Sequence, residues 1–401
     1  MAFDKRESHW ILVAAVLFGS PIFGAELPVN WNRLPPPYDT PSADNPPRLL
    51  PRPAGAELKL PVGFRIHEYV GDLPGARYMA LGPRQEVLVS SMDEGKVFTI
   101  QNRWPKTLLS DLHRPYGMAL HDGWLYIAEP TSVKRYRYDP EAVTVGEGQE
   151  VIALRGLGGG HATRTLLIDP LGKKLYLSVG SASNVDLGEP PMRAAISRFN
   201  IDGTGQEIFA SGIRNAVGLR WYPGTDALWA TSHERDDLGD DLVPDFLTRV
   251  RQGDFFGWPY AYIGPHEDPR HAGKAPAKVK QTRYPEVLLG SHVGAMDLWF
   301  YTGTQFPPHY RGGCFVALHG SWNRSQRVGY KLVFVPFKAG RPTSGLEDFL
   351  TGWMISPERS EVWGRPVGLL QLADGSLLVS DDGAGKIWRI SYHSSRKSPK
   401  G

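Results

Sequence analysis

The sequence predicts an all-β fold, a six-bladed β-propeller, from three observations. The chain of 401 residues carries 45 glycines and 34 prolines, and 11% of its residues are aromatic. This mixture favours many strands and turns over a helical bundle. A unit made of an anchor residue, a short apolar strand, a turn and a second strand recurs six times. Such hairpins bury their apolar faces only when neighbouring units pack together, and a closed ring achieves this.

The six units begin at anchors that are basic residues or histidine. A third strand follows most of them, as in Lys96-V-F-T-I and Lys386-I-W-R-I-S-Y. Because the first strand of each propeller blade lines the central channel, we expect the anchors to converge at one end. A ring of guanidinium groups there predicts an anionic ligand; the alternative is pairing with Asp and Glu side chains. The anchors are Arg77, Arg114, Arg164, Arg214, His292 and Arg365.

The chain divides into four segments. Residues 1–25 have the features of a secretory signal peptide, with Lys5 and Arg6 ahead of the apolar run 10–18 and small residues at the end. They predict a periplasmic or secreted protein, with an uncleaved N-terminal anchor as the alternative. Residues 26–61 form a proline-rich lead-in that either wraps the domain or stays loose. Residues 62–393 form the propeller and residues 394–401 a basic tail.

Charge and cysteine content exclude several classes of function. The formal net charge is +3, and without a global basic patch no nucleic-acid partner is expected. Cys314 is the single cysteine, so no intrachain disulfide can form, and C-x-x-C-H is absent. Covalent c-type haem is therefore excluded in this chain. Any electron acceptor is expected to be a separate partner, either a cytochrome or a quinone.

The stretch from residue 212 to 262 concentrates charge beside a strand of buried type. Arg214 and Asn215 precede one strand, and the loop H-E-R-D-D-L-G-D-D-L follows the next. Such density predicts a metal ion, an anionic cofactor, or both. The spacing is not that of an EF-hand loop, so solvated or internally paired side chains remain the alternative.

His161 is the candidate general base. It follows the glycine run G-L-G-G-G just ahead of a predicted first strand, which places it beside the anchors. An imidazole is suited to proton transfer near neutral pH; the alternative is a structural or merely exposed histidine. A second group, H-G-S-W-N-R at residues 319–324, joins an aromatic ring to a cation, a pair that suits a flat anion.

These segments together resemble the soluble quinoprotein sugar dehydrogenases of the glucose/sorbosone dehydrogenase group, with the sorbosone-dehydrogenase-like branch closer. The similarity covers roughly residues 60–392, and the order of the segments carries it. They are G-G-H-A-T-R-T-L (159–166), G-I-R-N-A-V-G-L (212–219), H-E-R-D-D-L-G-D-D-L (233–242), F-G-W-P-Y (256–260), R-G-G-C-F-V-A-L-H-G-S-W-N-R (311–324), R-P-V-G-L (365–369) and D-G-S-L-L-V-S-D-D (374–382).

The resemblance implies a propeller that binds pyrroloquinoline quinone on its top face, with Ca²⁺ beneath it, and that oxidises a sugar, polyol or aldose-derived aldehyde. It gives His161 the role of the base that takes the hydroxyl proton. Arg214 and Asn215 match a pair that contacts the cofactor, and Arg365 matches an arginine that binds a carboxylate. Arg324 lies near the position of a lysine in the glucose enzymes.

The resemblance assigns the charged loop to the cofactor and the metal. Glu234 is assigned to the cofactor site, and the backbone carbonyls of Arg235 and Asp236 are assigned to calcium. Ser181 stands where the glucose enzymes place an aspartate that orients the base. Two other functions remain open at this point: a calcium-dependent propeller lactonase, and a non-catalytic exported propeller that binds a partner or glycan.

Overall fold

The structure, a computed structural model, describes residues 31–343 and 345–393 and contains six four-stranded antiparallel sheets. The predicted six-bladed propeller is confirmed. The predicted signal peptide and basic tail lie outside the described residues. No helix within those residues is long and apolar enough to cross a membrane.

Each blade runs in chain order from the channel outward, except that the outermost strand of blade six comes from the N-terminal side. Blade one contains Ala76–Leu81, Val87–Ser91, Lys96–Gln101 and Trp104–Leu109; blade two Met118–His121, Trp124–Glu129, Ser132–Asp139 and Thr144–Ala153; blade three Leu166–Ile168, Lys174–Val179, Ala195–Asn200 and Glu207–Ser211; blade four Asn215–Trp221, Leu228–His233, Pro244–Val250 and Val287–Ser291; blade five Ala295–Phe300, Cys314–Leu318, Lys331–Val335 and Glu347–Leu350; and blade six Pro366–Gln371, Leu377–Asp381, Lys386–Tyr392 and Phe64–Val70.

The remaining elements are short and lie in the lead-in and in connections. Three strand pairs and four helices make up this set. They are Arg48–Leu49 with Glu361–Val362, Ala261–Tyr262 with His266–Glu267, Phe337–Lys338 with Arg341–Pro342, the α-helix Pro276–Gln281, and the 3-10 helices Trp31–Arg33, Pro269–His271 and Pro308–Tyr310.

Glycines of the repeat allow the blades to approach one another closely. The first strands of neighbouring blades contact each other all the way around the ring. A Cβ on Gly117 would lie 2.4 Å from the carbonyl oxygen of Arg164, and one on Gly368 would lie 2.2 Å from that of Arg77. In both cases the carbonyl belongs to the next blade. The recurring glycine after an anchor is therefore needed for packing, because any side chain would push adjacent blades apart.

The ring closes where the two ends of the domain share blade six. Phe64–Val70 pairs antiparallel with Lys386–Tyr392. The ring of Phe64 packs edge-on against four aromatic rings of blades five and six at centroid distances of 4.8–5.3 Å. These rings belong to Phe306, Tyr310, Phe349 and Tyr392. Edge-to-face packing adds to the free energy of apolar burial. This cluster therefore stabilises the position of the strand Phe64–Val70, which closes the ring.

The described part of the lead-in, residues 31–61, lies along the propeller. Arg48–Leu49 pairs in parallel with Glu361–Val362. The backbone N–H of Asn45 donates to the carbonyl of Trp322 at 2.8 Å, and its side-chain amide donates to the carbonyls of Arg324 and Ser325. The segment thus connects loops of blades five and six.

We expect Phe64→Ala to weaken ring closure. Loss of the four aromatic contacts should lower the free energy of unfolding by about 2–4 kcal/mol, measured by urea denaturation. Val62→Ala is the matched control, because Val62 is 95% exposed, and its effect should stay below about 0.5 kcal/mol. Equal effects of the two substitutions would contradict this account of closure.

Candidate functional site

A polar cavity of about 410 Å³ opens at one end of the channel. Most of its lining residues precede first strands or lie at or just after the ends of second strands in blades three to six, and Asp245 lies near the start of the third strand of blade four. A single end of the propeller therefore supplies them. The volume is in the range of small-molecule sites. The lining residues are Gly160, His161, Ala182, Ser183, Asn184, Arg214, His233, Glu234, Asp236, Asp245, His292, Gly294, His319, Gly320, Trp322 and Arg365.

His161 lines the cavity in a defined orientation. Its Nδ1 lies 2.8 Å from the carbonyl oxygen of Ser181, and its backbone N–H donates to the same oxygen at 3.1 Å. A carbonyl oxygen only accepts, so Nδ1 carries the proton and Nε2 keeps its lone pair. Nε2 makes no hydrogen bond to the described chain. The glycine at position 180 makes this fit possible, since a Cβ there would lie 2.7 Å from the Cβ of His161.

Burial keeps the imidazole of His161 neutral. Burial and, second, the nearby positive charge of Arg214 lower the pKa of His161 to about 4. The hydrogen bond to Ser181 acts in the opposite direction. At neutral pH the side chain is therefore an unprotonated base. Ser181, the residue predicted to replace an orienting aspartate, orients the ring through its carbonyl, and its Oγ lies 3.2 Å from Nδ1.

Arg214 also lines the cavity, but its guanidinium makes four hydrogen bonds within the protein. Nε and Nη2 donate to the carbonyl and side-chain oxygens of Asn184, Nη1 to the carbonyl of Glu234 at 2.6 Å, and Nη2 to Asp236 at 3.0 Å. The side chain of Asn184 also accepts from the backbone of Asp236 at 2.9 Å. Arg214 thus fixes the charged loop and leaves little hydrogen-bonding capacity for a ligand.

Asn215 is 3% exposed and lies behind this wall of the cavity. Its Oδ1 is buried without a hydrogen-bond partner. This oxygen is an acceptor that faces the backbone of Gly180, where a Cβ would lie 2.3 Å from it, so the contact of Asn215 with a cofactor stays a prediction. His233, which pairs with Asn215 across the sheet, likewise has a buried Nε2 without a partner.

Arg365 is the least neutralised cation at the cavity. Within the described chain its guanidinium makes one hydrogen bond, from Nε to the carbonyl of His319 at 3.4 Å. Its backbone N–H donates to Asp381 at 2.7 Å, which fixes the turn that carries it. Burial lowers the pKa of Arg365, so the cation is held in a partly desolvated position that an anionic ligand would relieve.

The structure does not support the predicted role of Arg324 in cofactor binding. This side chain lies in a neighbouring cleft between blades four and five. Its Nη1 forms an ion pair with Asp241 at 2.7 Å and also donates to the carbonyl of Asp240. The short H-G-S-W-N-R segment suggested one site, but the chain turns after Trp322 and sends the two side chains into different cavities.

The charged loop is neutralised largely from within. Arg235 is fully buried and pairs with Glu234 and Asp268, each at 3.0 Å. Its remaining N–H groups donate to the carbonyls of Pro259 and Ala261. Glu234 lines the cavity, burial raises its pKa, and its Oε1 has no partner. The predicted position of Glu234 at the cofactor site therefore agrees with the geometry, whereas the Arg235 side chain has a structural role.

One of the two predicted calcium ligands is already engaged within the protein. The carbonyl of Asp236 accepts hydrogen bonds from Asn184 at 3.1 Å and Arg270 at 3.0 Å, and the Asp236 carboxylate pairs with Arg214. Among the described residues, no group of three or more His, Cys, Asp or Glu side chains is placed to hold a metal ion. The assignment of calcium to the carbonyls of Arg235 and Asp236 therefore stays a prediction of the resemblance.

Only three of the six repeat anchors line the cavity: Arg214, His292 and Arg365. Arg164 is buried and donates to carbonyls of the loop that carries His161, so it positions the base. Arg114 is exposed. The repeat pattern predicts where an anchor's backbone lies, but a long side chain is then directed by the nearest unpaired oxygen atoms.

Sequence reasoning missed three polar residues of the site. Asn184 organises the charged loop, Asp245 accepts three backbone N–H groups beneath the cavity, and Asp382 bonds to His319 at 2.8 Å. Asn184 and Asp382 each follow the second strand of a blade. That position is the signal available in the sequence, because second strands end at the same face as the anchors.

A planar tricarboxylate such as pyrroloquinoline quinone fits the donor set of this cavity. Arg365 offers free guanidinium N–H groups. The cavity lining also includes three glycines, at positions 160, 294 and 320, where the absence of side chains leaves flat wall for an aromatic ring. These features suit the predicted contact of Arg365, whereas Asn215 is not among the residues that line the cavity.

Comparisons with known proteins assign the chain to a family. Residues 58–246 and 270–393 match the TrAA12-like family. The pyrroloquinoline quinone-dependent pyranose dehydrogenase of Coprinopsis cinerea is 26% identical over 410 residues, covering 83% of this chain and 54% of that protein. The chain thus spans about half the length of this relative.

Two solved structures share the fold. The holo form of the pyranose dehydrogenase PQQ domain from Coprinopsis cinerea has a TM-score of 0.72 at 22% identity, covering 85% of this chain and 98% of that domain. The calcium structure of Trichoderma reesei Carbohydrate-Active Enzymes Family AA12 has a TM-score of 0.74 at 22% identity, with coverages of 86% and 98%.

The fold and the cavity define a six-bladed propeller with a small-molecule site at one end of its channel. The chain belongs to the TrAA12-like family. The resemblance predicted from the sequence is confirmed at the level of the family.

We expect the buried histidines to make folding sensitive to acid. Burial lowers the pKa of His233 to about 3, below the value near 6.5 of an unfolded histidine. Its stabilising contribution is complete above pH 6.5 and is lost as the pH falls toward the folded value. Between pH 7 and pH 5 the loss should be about 2 kcal/mol, measured by urea denaturation.

His233→Gln should show a shallower decline over the same pH range, because it removes one titrating group. His113→Gln, at an exposed position, is the control and should decline like the wild type. A slope that His233→Gln leaves unchanged would show that this imidazole does not titrate with unfolding.

Proposed function

We propose that this protein is a quinoprotein oxidoreductase that oxidises a sugar, polyol or aldose-derived aldehyde with pyrroloquinoline quinone bound in the cavity. One observation carries the proposal: a neutral, oriented His161 and an uncompensated Arg365 line the same cavity. The first is a base and the second is a site for a carboxylate. The named relatives, which include a pyrroloquinoline quinone-dependent pyranose dehydrogenase, support the same chemistry.

The chain's own residues would hold and deprotonate the substrate. Nε2 of His161 takes the proton of the reacting hydroxyl group, while the carbonyl of Ser181 holds Nδ1–H and stabilises the imidazolium that forms. The bound quinone supplies the acceptor for the hydride. Arg365 would neutralise a cofactor carboxylate, and a contact of Asn215 with the cofactor stays a prediction of the resemblance.

Trp322 provides an aromatic surface for the substrate at the cavity mouth. It is 45% exposed and lies on the lining. Flat aromatic rings bury the apolar face of a sugar while the hydroxyl groups stay in water. Trp258, in contrast, is buried and donates to the carbonyl of Asn184 at 2.8 Å. Trp322 favours a pyranose-like ring without choosing among sugars, and a sorbosone-type substrate stays a prediction.

The remaining parts of the function are predictions from the sequence. Calcium stays a prediction of the resemblance, and no step is assigned to it; the carbonyl of Asp236 already accepts two hydrogen bonds. A separate electron acceptor, either a cytochrome or a quinone, is expected to collect the electrons. The N-terminal pattern predicts a periplasmic or secreted location.

The cofactor site is tested by comparing two arginines. Arg365→Gln should weaken binding of pyrroloquinoline quinone about 10- to 100-fold, the effect of losing a charged hydrogen bond, in an absorbance titration of the cofactor-free protein. Arg324→Gln should change the affinity less than about threefold, because this side chain lies in the neighbouring cleft. The reverse ranking would place the cofactor in that cleft, and no binding by the wild type would overturn the proposal.

The base is tested by its pH dependence. His161→Gln should lower kcat for dye-linked sugar oxidation about 10²- to 10⁴-fold and leave cofactor affinity within about threefold. In the wild type, kcat/KM should stay level down to about pH 5 and fall only as the pH approaches the His161 pKa of about 4, where protonation removes the lone pair. A cofactor-free protein that hydrolyses aldonolactones would instead support the lactonase alternative.

A further inference from the structure

Of the four histidines that line the cavity, His319 is distinguished by a carboxylate partner. Its Nε2 lies 2.8 Å from Oδ1 of Asp382, and Oδ2 of Asp382 lies 3.0 Å from Arg77. Among the described residues, no other cavity histidine has a carboxylate within hydrogen-bond distance. His292, the nearest case, has its Nδ1 3.7 Å from Asp236 and its Nε2 bonded to a carbonyl.

We propose that His319 and Asp382 form the route by which protons leave the cavity for solvent during oxidation. The inference rests on the proposed function and deepens it, because it assigns a second proton-carrying residue to the same reaction. His319 would act through Nδ1, which makes no hydrogen bond to the described chain, while Nε2–H donates to Asp382.

The stoichiometry of the reaction requires such a route. Oxidising a CH–OH group to C=O removes two electrons and two protons; the hydride carries both electrons and one proton to the quinone, and the hydroxyl group releases the other proton. A one-electron acceptor such as a cytochrome removes electrons alone. Both protons must therefore travel from the cavity to solvent.

His161 cannot conduct those protons onward. Its Nδ1 faces the carbonyl and the Oγ of Ser181, and that hydroxyl in turn donates to the carbonyl of Ser183 at 2.6 Å. Both paths end on peptide oxygens, which are not protonated near neutral pH. A proton taken by Nε2 must return to the cavity. The carboxylate of Asp382, in contrast, can take a proton from Nε2 of His319 when Nδ1 receives one, and the side chain of Asp382 is 13% exposed beside the 19% exposed Arg77.

The geometry of the pair is held firmly. The preceding residue, Asp381, is fully buried and accepts from the backbone N–H groups of Arg365 and Ala384 and from the indoles of Trp353 and Trp388. The backbone N–H of His319 donates to the carbonyl of Gly294 at 2.8 Å. Neither partner depends on the other to keep its place.

The charges around His319 favour release of a proton from its ring over retention of that proton. Arg365 and Arg77 oppose protonation of the ring, Asp382 favours it, and His233 is a further titratable neighbour. Burial lowers the pKa of His319 to about 4. A group of this kind stays neutral at rest and carries a proton only transiently.

Two rates distinguish this role from that of His161: the rate of reduction by sugar in a single turnover, and the rate of steady-state turnover. In the reconstituted enzyme, His319→Gln and Asp382→Asn should slow steady-state turnover with a one-electron dye by about tenfold or more. Reduction by sugar in a single turnover should change less than about threefold, whereas His161→Gln should slow that step. Asp348→Asn, which removes a surface pair with Lys331, should change neither rate.

The two variants should also share a signature that a structural role does not produce. The solvent deuterium isotope effect on turnover should rise, and imidazole added to His319→Ala should restore part of the rate by occupying the space that is opened. Equal slowing of both rates, or wild-type turnover in both variants, would overturn the proposal.

A measurement without cofactor tests the pair separately. In the full-length protein with ¹⁵N-labelled histidine, the His319 ring, assigned by its loss in His319→Gln, should be the Nε2–H tautomer. Asp382→Ala, which leaves no side-chain acceptor for Nε2–H, should lose that preference. A wild-type Nδ1–H tautomer would overturn the proposal. If the wild type binds no pyrroloquinoline quinone, the proposed function and this route fail together, and a correct tautomer would then assign the pair a structural role.

Discussion

The whole site depends on closure of the propeller ring. Six wedge-shaped sheets bury their faces only against each other, so the cavity exists only when blade six meets blade one. Two contacts make this possible: the bare backbone of Gly368 against the carbonyl of Arg77, and the N-terminal strand Phe64–Val70 along the last sheet. The channel residues are then held by backbone position and need no helix to support them.

Within this frame, buried arginines arrange the polar groups. Arg164 and Arg214 use their planar donors to fix loop carbonyls, and Arg235 neutralises Glu234 and Asp268. A buried guanidinium is stable only when oxygen atoms surround it, so these residues determine the loop conformations around the cavity. Arg365, without such a shell, is the one of the four that remains available to a ligand.

The repeat pattern predicted the propeller because a strand pair has a strong local signature and a ring is the natural way to bury six of them. It also predicted that the starts of the first strands converge at one end of the channel. The positions of His161, Arg214 and Arg365 follow from this. It could not predict the direction of long side chains. Arg324 lies two residues after Trp322, yet an ion pair with Asp241 draws it away.

The acidic residues around residue 236 suggested a metal site, because a sequence does not reveal which oxygen atoms already accept hydrogen bonds. Asn184 and Asp382 were missed since each is a single polar residue after a common type of strand.

Blade six unites the two ends of the domain, and it also carries Arg365 and Asp382. During synthesis, the strand Phe64–Val70 emerges early and must wait without its partner until Lys386–Tyr392 leaves the ribosome. The late-made strands of the domain thus complete the sheet, and Arg365, which lines the cavity, is made with them. Until these strands pair, the ring stays open, so the cavity forms only after blade six has been made.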